Sequence, residues 1–166
     1  MSTLANLCRH PVRVVTPATT IREAAEIMRE QHIGALVVVA EVSDAPKPIG
    51  IVTDRDIVVA IVALDLNPNV FLVDDLLGRP LVVAGRGARV REGLELMKAH
   101  GVRRLPVVDE SGVLTGIVTF DDALGEIAAD MSRVSAVIEQ EIGSELALRP
   151  GKIRARHGKR AKAAVA

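Results

Sequence analysis

The stretch Gly50-Ile-Val-Thr-Asp-Arg-Asp56 occurs again, with two changes, as Gly116-Ile-Val-Thr-Phe-Asp-Asp122. Each copy is an aliphatic run that ends in Thr-x-x-Asp. Branched aliphatics favour a strand. A Thr with a carboxylate three residues later is the signature of a helix start. One strand-to-helix junction is therefore written twice, 66 residues apart.

Upstream of this junction the two halves stay in register at an offset of 69. Ile33-Gly-Ala-Leu-Val-Val-Val39 aligns with Val102-Arg-Arg-Leu-Pro-Val-Val108. Ile21 to Met28 aligns with Val90 to Met97, and Pro11 with Pro80. The offset changes in the turn, where Ser43-Asp-Ala-Pro-Lys-Pro48 is longer than Asp109-Glu-Ser-Gly112. Length changes of this kind belong to surface loops.

Each half reads as strand, helix, strand, turn, strand, helix. Val12–Val15 is a short β-branched run. Thr20 starts a helix with Glu23 completing its capping box, and Ile21, Ala24, Ala25 and Met28 carry helical spacing. Leu36–Val39 and Ile49–Val52 are unbroken aliphatic runs, so strands buried on both faces are expected. Thr53 or Asp54 caps a second helix. In the second half the strand Leu81–Val83 is followed by a helix Arg89–His100, strands Leu105–Val108 and Leu114–Val118, and a helix from Phe120. Units of about 55 residues enclose poor cores alone. The expected fold is α/β (α+β), two β-α-β-β-α repeats packed around a pseudo-two-fold axis. The expected division is an N-terminal segment 1–9, repeats at 10–65 and 80–131 joined by a linker 66–79, a helix extension 132–148 and a basic tail 149–166.

Composition narrows the function. The chain has 166 residues, 49% hydrophobic and 25% charged. Cys8 is its one cysteine, which excludes a disulfide framework and a cysteine-based zinc site. Trp and Tyr are absent, and Phe71 and Phe120 are the only aromatics. Stacked aromatic platforms for nucleic acid are thereby disfavoured. The apolar helix Ile57–Leu64 is far shorter than the ~20 residues of a membrane span. Met1 to His10 holds no signal-peptide core, so a cytoplasmic protein without a membrane partner is expected. Net charge is zero, but residues 1–148 carry −7 and the last 18 carry +7.

The repeated junctions, together with Val102-Arg-Arg-Leu-Pro-Val-Val-Asp109, resemble the cystathionine-β-synthase (CBS) domain, arranged as a tandem pair. The resemblance covers about residues 10 to 130. It implies a regulatory module without catalysis that holds an adenosine-containing ligand in two clefts between repeats and controls a separate protein. The ligands it implies are AMP, ADP, ATP, S-adenosylmethionine or NAD, with no cofactor required. By position, Asp56 and Asp122 accept from ribose hydroxyls, with Thr53 and Thr119 beside them. Ile51 and Ile117 line the base, opposite Val82 or its counterpart Arg13. Arg103 and Arg104 stand where relatives contact phosphate. Gly34 and Ala35 replace them in the first copy, and Arg55 is replaced by Asp121 in the second. The two clefts are therefore expected to differ. On the residues alone, Thr-x-x-Asp serves a helix cap as well as it serves a ligand.

Other signals are weaker. Gly85-Arg-Gly87 reads as a turn, since Val90 stands where a dinucleotide fingerprint needs glycine. Asp74-Asp75 opens a short helical turn. The histidines at 10, 32, 100 and 157 lack metal spacing. Cys8 and His10 sit in a segment with no repeat partner, so a packing thiol is the better reading. The last helix carries an apolar stripe of Leu124, Ile127, Ala128, Met131, Val134, Ile138 and Ile142. The helix Ile57–Leu64 is apolar all round, so a second copy is expected to cover its outer side. The tail reads as a solvated end. The alternative function is a dimeric scaffold that reaches nucleic acid or an acidic partner through this tail.

Overall fold

Four helix starts in the repeats carry a carboxylate that turns back to its own backbone. Thr20 N donates to Glu23 Oε2 at 2.9 Å, Thr53 N to Asp56 Oδ2 at 2.9 Å, Arg89 N to Glu92 Oε2 at 2.7 Å and Thr119 N to Asp122 Oδ2 at 2.9 Å. These bonds satisfy donors that a helix start otherwise leaves open and place negative charge at the positive end of the helix dipole.

The computed structural model describes residues 2–147. In chain order the elements are α1 (Leu4–Leu7), β1 (Val14–Val15), α2 (Ile21–Gln31), β2 (Ala35–Val39), β3 (Pro48–Thr53) and α3 (Asp54–Ile57), which continues as a π-helical stretch Val58–Val62. A 3-10 turn Val73–Leu76 follows, then β4 (Ala84–Gly85), α4 (Val90–His100), β5 (Arg104–Val108), β6 (Leu114–Thr119) and α5 (Phe120–Ala147). The chain divides between Ala123 and Leu124 into two units, the first holding both sheets and the second formed by the run of α5 from Leu124 onward.

The two sheets have one topology. β1 runs parallel to β2, and β2 antiparallel to β3; β4, β5 and β6 repeat this order. The registers match by repeat: Ala35 faces Thr53 as Arg104 faces Thr119, and Val38 faces Gly50 as Val107 faces Gly116. Ile21, Ala24 and Met28 of α2 join Leu36, Val38 and Val52 in one core, and Met97 of α4 joins Leu105, Val107 and Val118 in the other.

Three expectations need correction. Strand β3 is not buried on both faces: Gly50 and Val52 are buried, but Ile49 is 43% exposed. β3 lies at a sheet edge, and only its alternate residues meet the core. The strand expected at Leu81–Val83 forms at Ala84–Gly85 instead. In the first repeat Val37 N donates to Arg13 O at 3.1 Å. The matching donor in the second repeat would be Pro106, which has no N–H, so the ladder starts later. The N-terminal segment, finally, does have a repeat partner.

That partner is the segment Leu72–Leu77. Leu4 N donates to Ala88 O at 2.8 Å, and 69 residues on Val73 N donates to Thr19 O at 2.8 Å. Thr3 bridges to Arg89 as Leu72 bridges to Thr20. Leu4 is 1% exposed inside the second core, and Val73 is fully buried inside the first. Each repeat thus lends its leading segment to the other. Burial of one such side chain contributes roughly 1.5–3 kcal/mol. Two strand glycines admit the lent segments: a Cβ at Gly50 would lie 2.5 Å from Leu77 Cδ2, and one at Gly116 would lie 2.5 Å from Cys8 Cβ. A reciprocal exchange of this kind gives the two repeats a two-fold relation.

Candidate functional site

The two Thr-x-x-Asp junctions lie at the ends of β3 and β6. In the first, Thr53 Oγ1 donates to Asp56 Oδ2 at 2.6 Å and accepts from Asp56 N at 3.2 Å. In the second, Thr119 Oγ1 donates to Asp122 Oδ2 at 2.6 Å and accepts from Asp122 N at 3.1 Å. One oxygen of each aspartate is therefore spent on the cap, together with the threonine proton. The second oxygen, Oδ1, is the group each junction has left to offer.

There the junctions part. Asp56 is exposed, and its Oδ1 has no partner among the described residues. Asp122 Oδ1 accepts from Arg9 Nε at 2.7 Å, and Arg9 Nη2 stands 2.5 Å away, with only 10% of the Asp122 side chain exposed. Burial pushes the Asp122 carboxyl up. Hydrogen bonds from the Thr119 hydroxyl, from Arg9 and from the Thr119 amide, with the Arg9 charge, outweigh it and hold the group below its ordinary value.

The basic residues divide likewise. Arg103 pairs with Asp121 at 3.6 Å and lies 5.9 Å from the Phe120 ring centre, both beside its own repeat's junction. Arg104 reaches the other repeat. A Cβ at Gly34 would lie 3.3 Å from Arg104 Nη2 and 2.9 Å from Asp54 Oδ2, so glycine leaves room for both groups. The Arg104 guanidinium has no hydrogen bond or ion pair among the described residues. The Arg55 amide is held by Asp54 Oδ1 at 2.8 Å, with the side chain in an exposed residue. Arg13 donates to Gln31 at 2.8 Å. Val82 packs against the second core. Ile51 and Ile117 are half-buried. Ile117 is bridged to Arg9, whose N donates to Ile117 O at 3.0 Å.

Of the expected site residues, Thr53 with Asp56 and Thr119 with Asp122 thus form two separate junctions, while Arg13 turns to Gln31 and Val82 to the second core. Sequence reading missed Arg9 and the meeting of Gly34, Asp54 and Arg104. Extending the offset of 69 upstream, which sets Arg9 against Gly78, carries the signal for the first. Burial pushes the Cys8 thiol up, against the lowering charge of Arg86 and with the raising charge of Asp122. Among the described residues no three His, Cys, Asp or Glu side chains form a group able to hold a metal ion.

The family model for the CBS domain matches the chain twice, over residues 4–63 and 73–129. The chain belongs to the CBS-domain family. Both matches include the lent segments, as the exchange described above requires. Among relatives of this CBS pair, a Methanopyrus kandleri protein, MK0525, is 38% identical over 121 residues, spanning 73% of this chain and 60% of that protein. Hypoxic response protein 1 of Mycobacterium tuberculosis is 36% identical over 122 residues, 74% of this chain and 82% of that one. The crystal structure of Hypoxic Response Protein I, with two coordinated zinc ions, superposes with a TM-score of 0.64 at 35% identity, covering 76% of this chain and 99% of that chain. The CBS domain protein PAE2072 from Pyrobaculum aerophilum, complexed with AMP, gives a TM-score of 0.68 at 25% identity, over 77% and 99% of the two chains. No helix among the described residues is long and apolar enough to cross a membrane.

Proposed function

We propose that this CBS pair is a regulatory module, not an enzyme, that binds an adenosine-containing ligand and controls a partner protein. The observation that carries the reading is the division of labour within Asp56. Its Oδ2 closes the helix cap, and its Oδ1 stays open to solvent, so capping and ligand binding need not compete. A carboxylate oxygen accepts from a sugar hydroxyl with a strength of roughly 1.5–3 kcal/mol. Thr53 and Ile51 flank that oxygen in sequence, and Arg104 supplies an unpaired cation for phosphate at Gly34. The AMP in the PAE2072 structure supports the ligand class. A calorimetric panel of AMP, ADP, ATP, S-adenosylmethionine and NAD tests it. At least one compound is expected to bind, and Asp56→Ala is expected to abolish that heat. Silence across the panel would overturn the reading.

A second reading follows from the charge asymmetry of −7 against +7. In it the folded part is a self-associating scaffold and the basic tail, which lies outside the described residues, is the working part. Deletion of residues 149–166 separates the two. Loss of a partner with nucleotide binding intact favours the tail.

A further inference from the structure

We propose that Arg9 holds the second cleft shut, so that the pair presents one working nucleotide cleft, the one at Asp56. The inference rests on the adenosine-ligand reading above and adds which of the two clefts answers to ligand. Four observations carry it. Arg9 places two nitrogens on Asp122 Oδ1, the one oxygen that the capping box leaves over. With Thr119 and Arg9 both bound, the carboxylate has a partner on each oxygen, and a ribose diol must displace a charged donor with neutral ones. Charge-assisted pairs are the stronger.

The backbone of Arg9 is itself tied down. Its N donates to Ile117 O at 3.0 Å, which lays the N-terminal segment along β6 beside the residue assigned to the base. The first repeat lacks this device. Its counterpart of Arg9 is Gly78, whose Cβ position has nothing within 4 Å, and Asp56 is left exposed. The cation that crosses between repeats, Arg104, comes close to Gly34 of the first repeat without forming an ion pair, adding charge for a phosphate where the acceptor is already free. The Arg9 side chain is itself 70% exposed. Its removal therefore leaves the cores intact, because the side chain packs into neither of them.

The test is calorimetry on the full chain, with AMP, ADP, ATP, S-adenosylmethionine and NAD each used separately as the probe, for the wild type and Arg9→Gly. The wild type is expected to bind one nucleotide per chain and Arg9→Gly two. Asp122→Ala is expected to leave the wild-type stoichiometry at one and to return Arg9→Gly from two to one. Asp56→Ala is expected to silence the wild type and to leave one site in Arg9→Gly. Two sites in the wild type overturn the proposal and leave the adenosine reading standing. So does Arg9→Gly that stays at one site or binds more weakly, which would make Arg9 a ligand contact instead of a lock. No binding by either form brings down both.

Discussion

Asp56 and Asp122 do the same work for their helices and different work for their surroundings. Asp122 is the informative one, because its charge is held by three donors at once. Burial acts to raise its pKa, but the Thr119 hydroxyl, Arg9 and the Thr119 amide prevail, so the folded value lies below the unfolded one. A carboxyl depressed on folding stabilises the fold above its unfolded pKa, about 3.9, and that contribution is lost as pH falls through the folded value. Asp122→Asn removes the charge at every pH. Thermal melts of both forms should show the variant less stable by roughly 1–2 kcal/mol at pH 7. The gap should hold down to about pH 5 and close as the wild-type carboxyl takes up its proton. A gap that stays constant down to pH 3 would mean that packing, not charge, sets the cost.

At the level of elements, the exchanged segments α1 and Leu72–Leu77 decide how the repeats hold each other. The strand glycines report on that grip. At Gly116 an added Cβ would meet Cys8 Cβ, which is fixed to the backbone of the lent segment; at Gly50 it would meet Leu77 Cδ2, the movable end of a side chain. Overpacking of this kind costs roughly 1–3 kcal/mol. In urea denaturation Gly116→Ala should fall at the upper end and Gly50→Ala near the lower. The reverse order would count against a rigid seat for α1. These elements also show where the sequence was readable. Thr20-x-x-Glu23, Thr53-x-x-Asp56 and Thr119-x-x-Asp122 announced their caps because capping is local chemistry. The runs that form β2, β3, β5 and β6 were legible as unbroken aliphatic stretches, but their pairing and register were not. Leu4, Leu7 and Cys8 against Val73, Leu76 and Leu77 escaped notice because their similarity is one of apolar character only, and their packing lies in the other repeat. Pro106 was visible, but its effect falls on β4, a strand away in space. Arg9 on Asp122 joins residues 113 apart, which no periodicity encodes.

For the whole molecule the unsettled surface is apolar. Ile57 and Ile61 are buried against the first core, yet Val58, Val59, Val62 and Leu64 on the same apolar stretch are 54%, 57%, 64% and 64% exposed. Along α5, Leu124, Ile127, Met131, Val134 and Ile138 follow steps of three and four, and each is at least 41% exposed. That spacing is the seam of a coiled coil. Soluble monomers rarely leave an apolar patch larger than a few hundred Å² in water. We therefore expect the chain to self-associate through this stripe, and a paired carboxylate in the seam to prevent it. In sedimentation at about 50 μM, a range where self-associating interfaces are filled, the wild type should run as an oligomer. Met131→Glu/Ile138→Glu should run as a monomer, because like charges would face each other across the seam in low dielectric. Met131→Leu/Ile138→Leu keeps the apolar volume and should assemble as the wild type does. If the glutamate pair leaves the mass unchanged, the stripe is not the interface, and the exposed flank of Val58, Val59 and Val62 becomes the surface on which the same substitution must be tried.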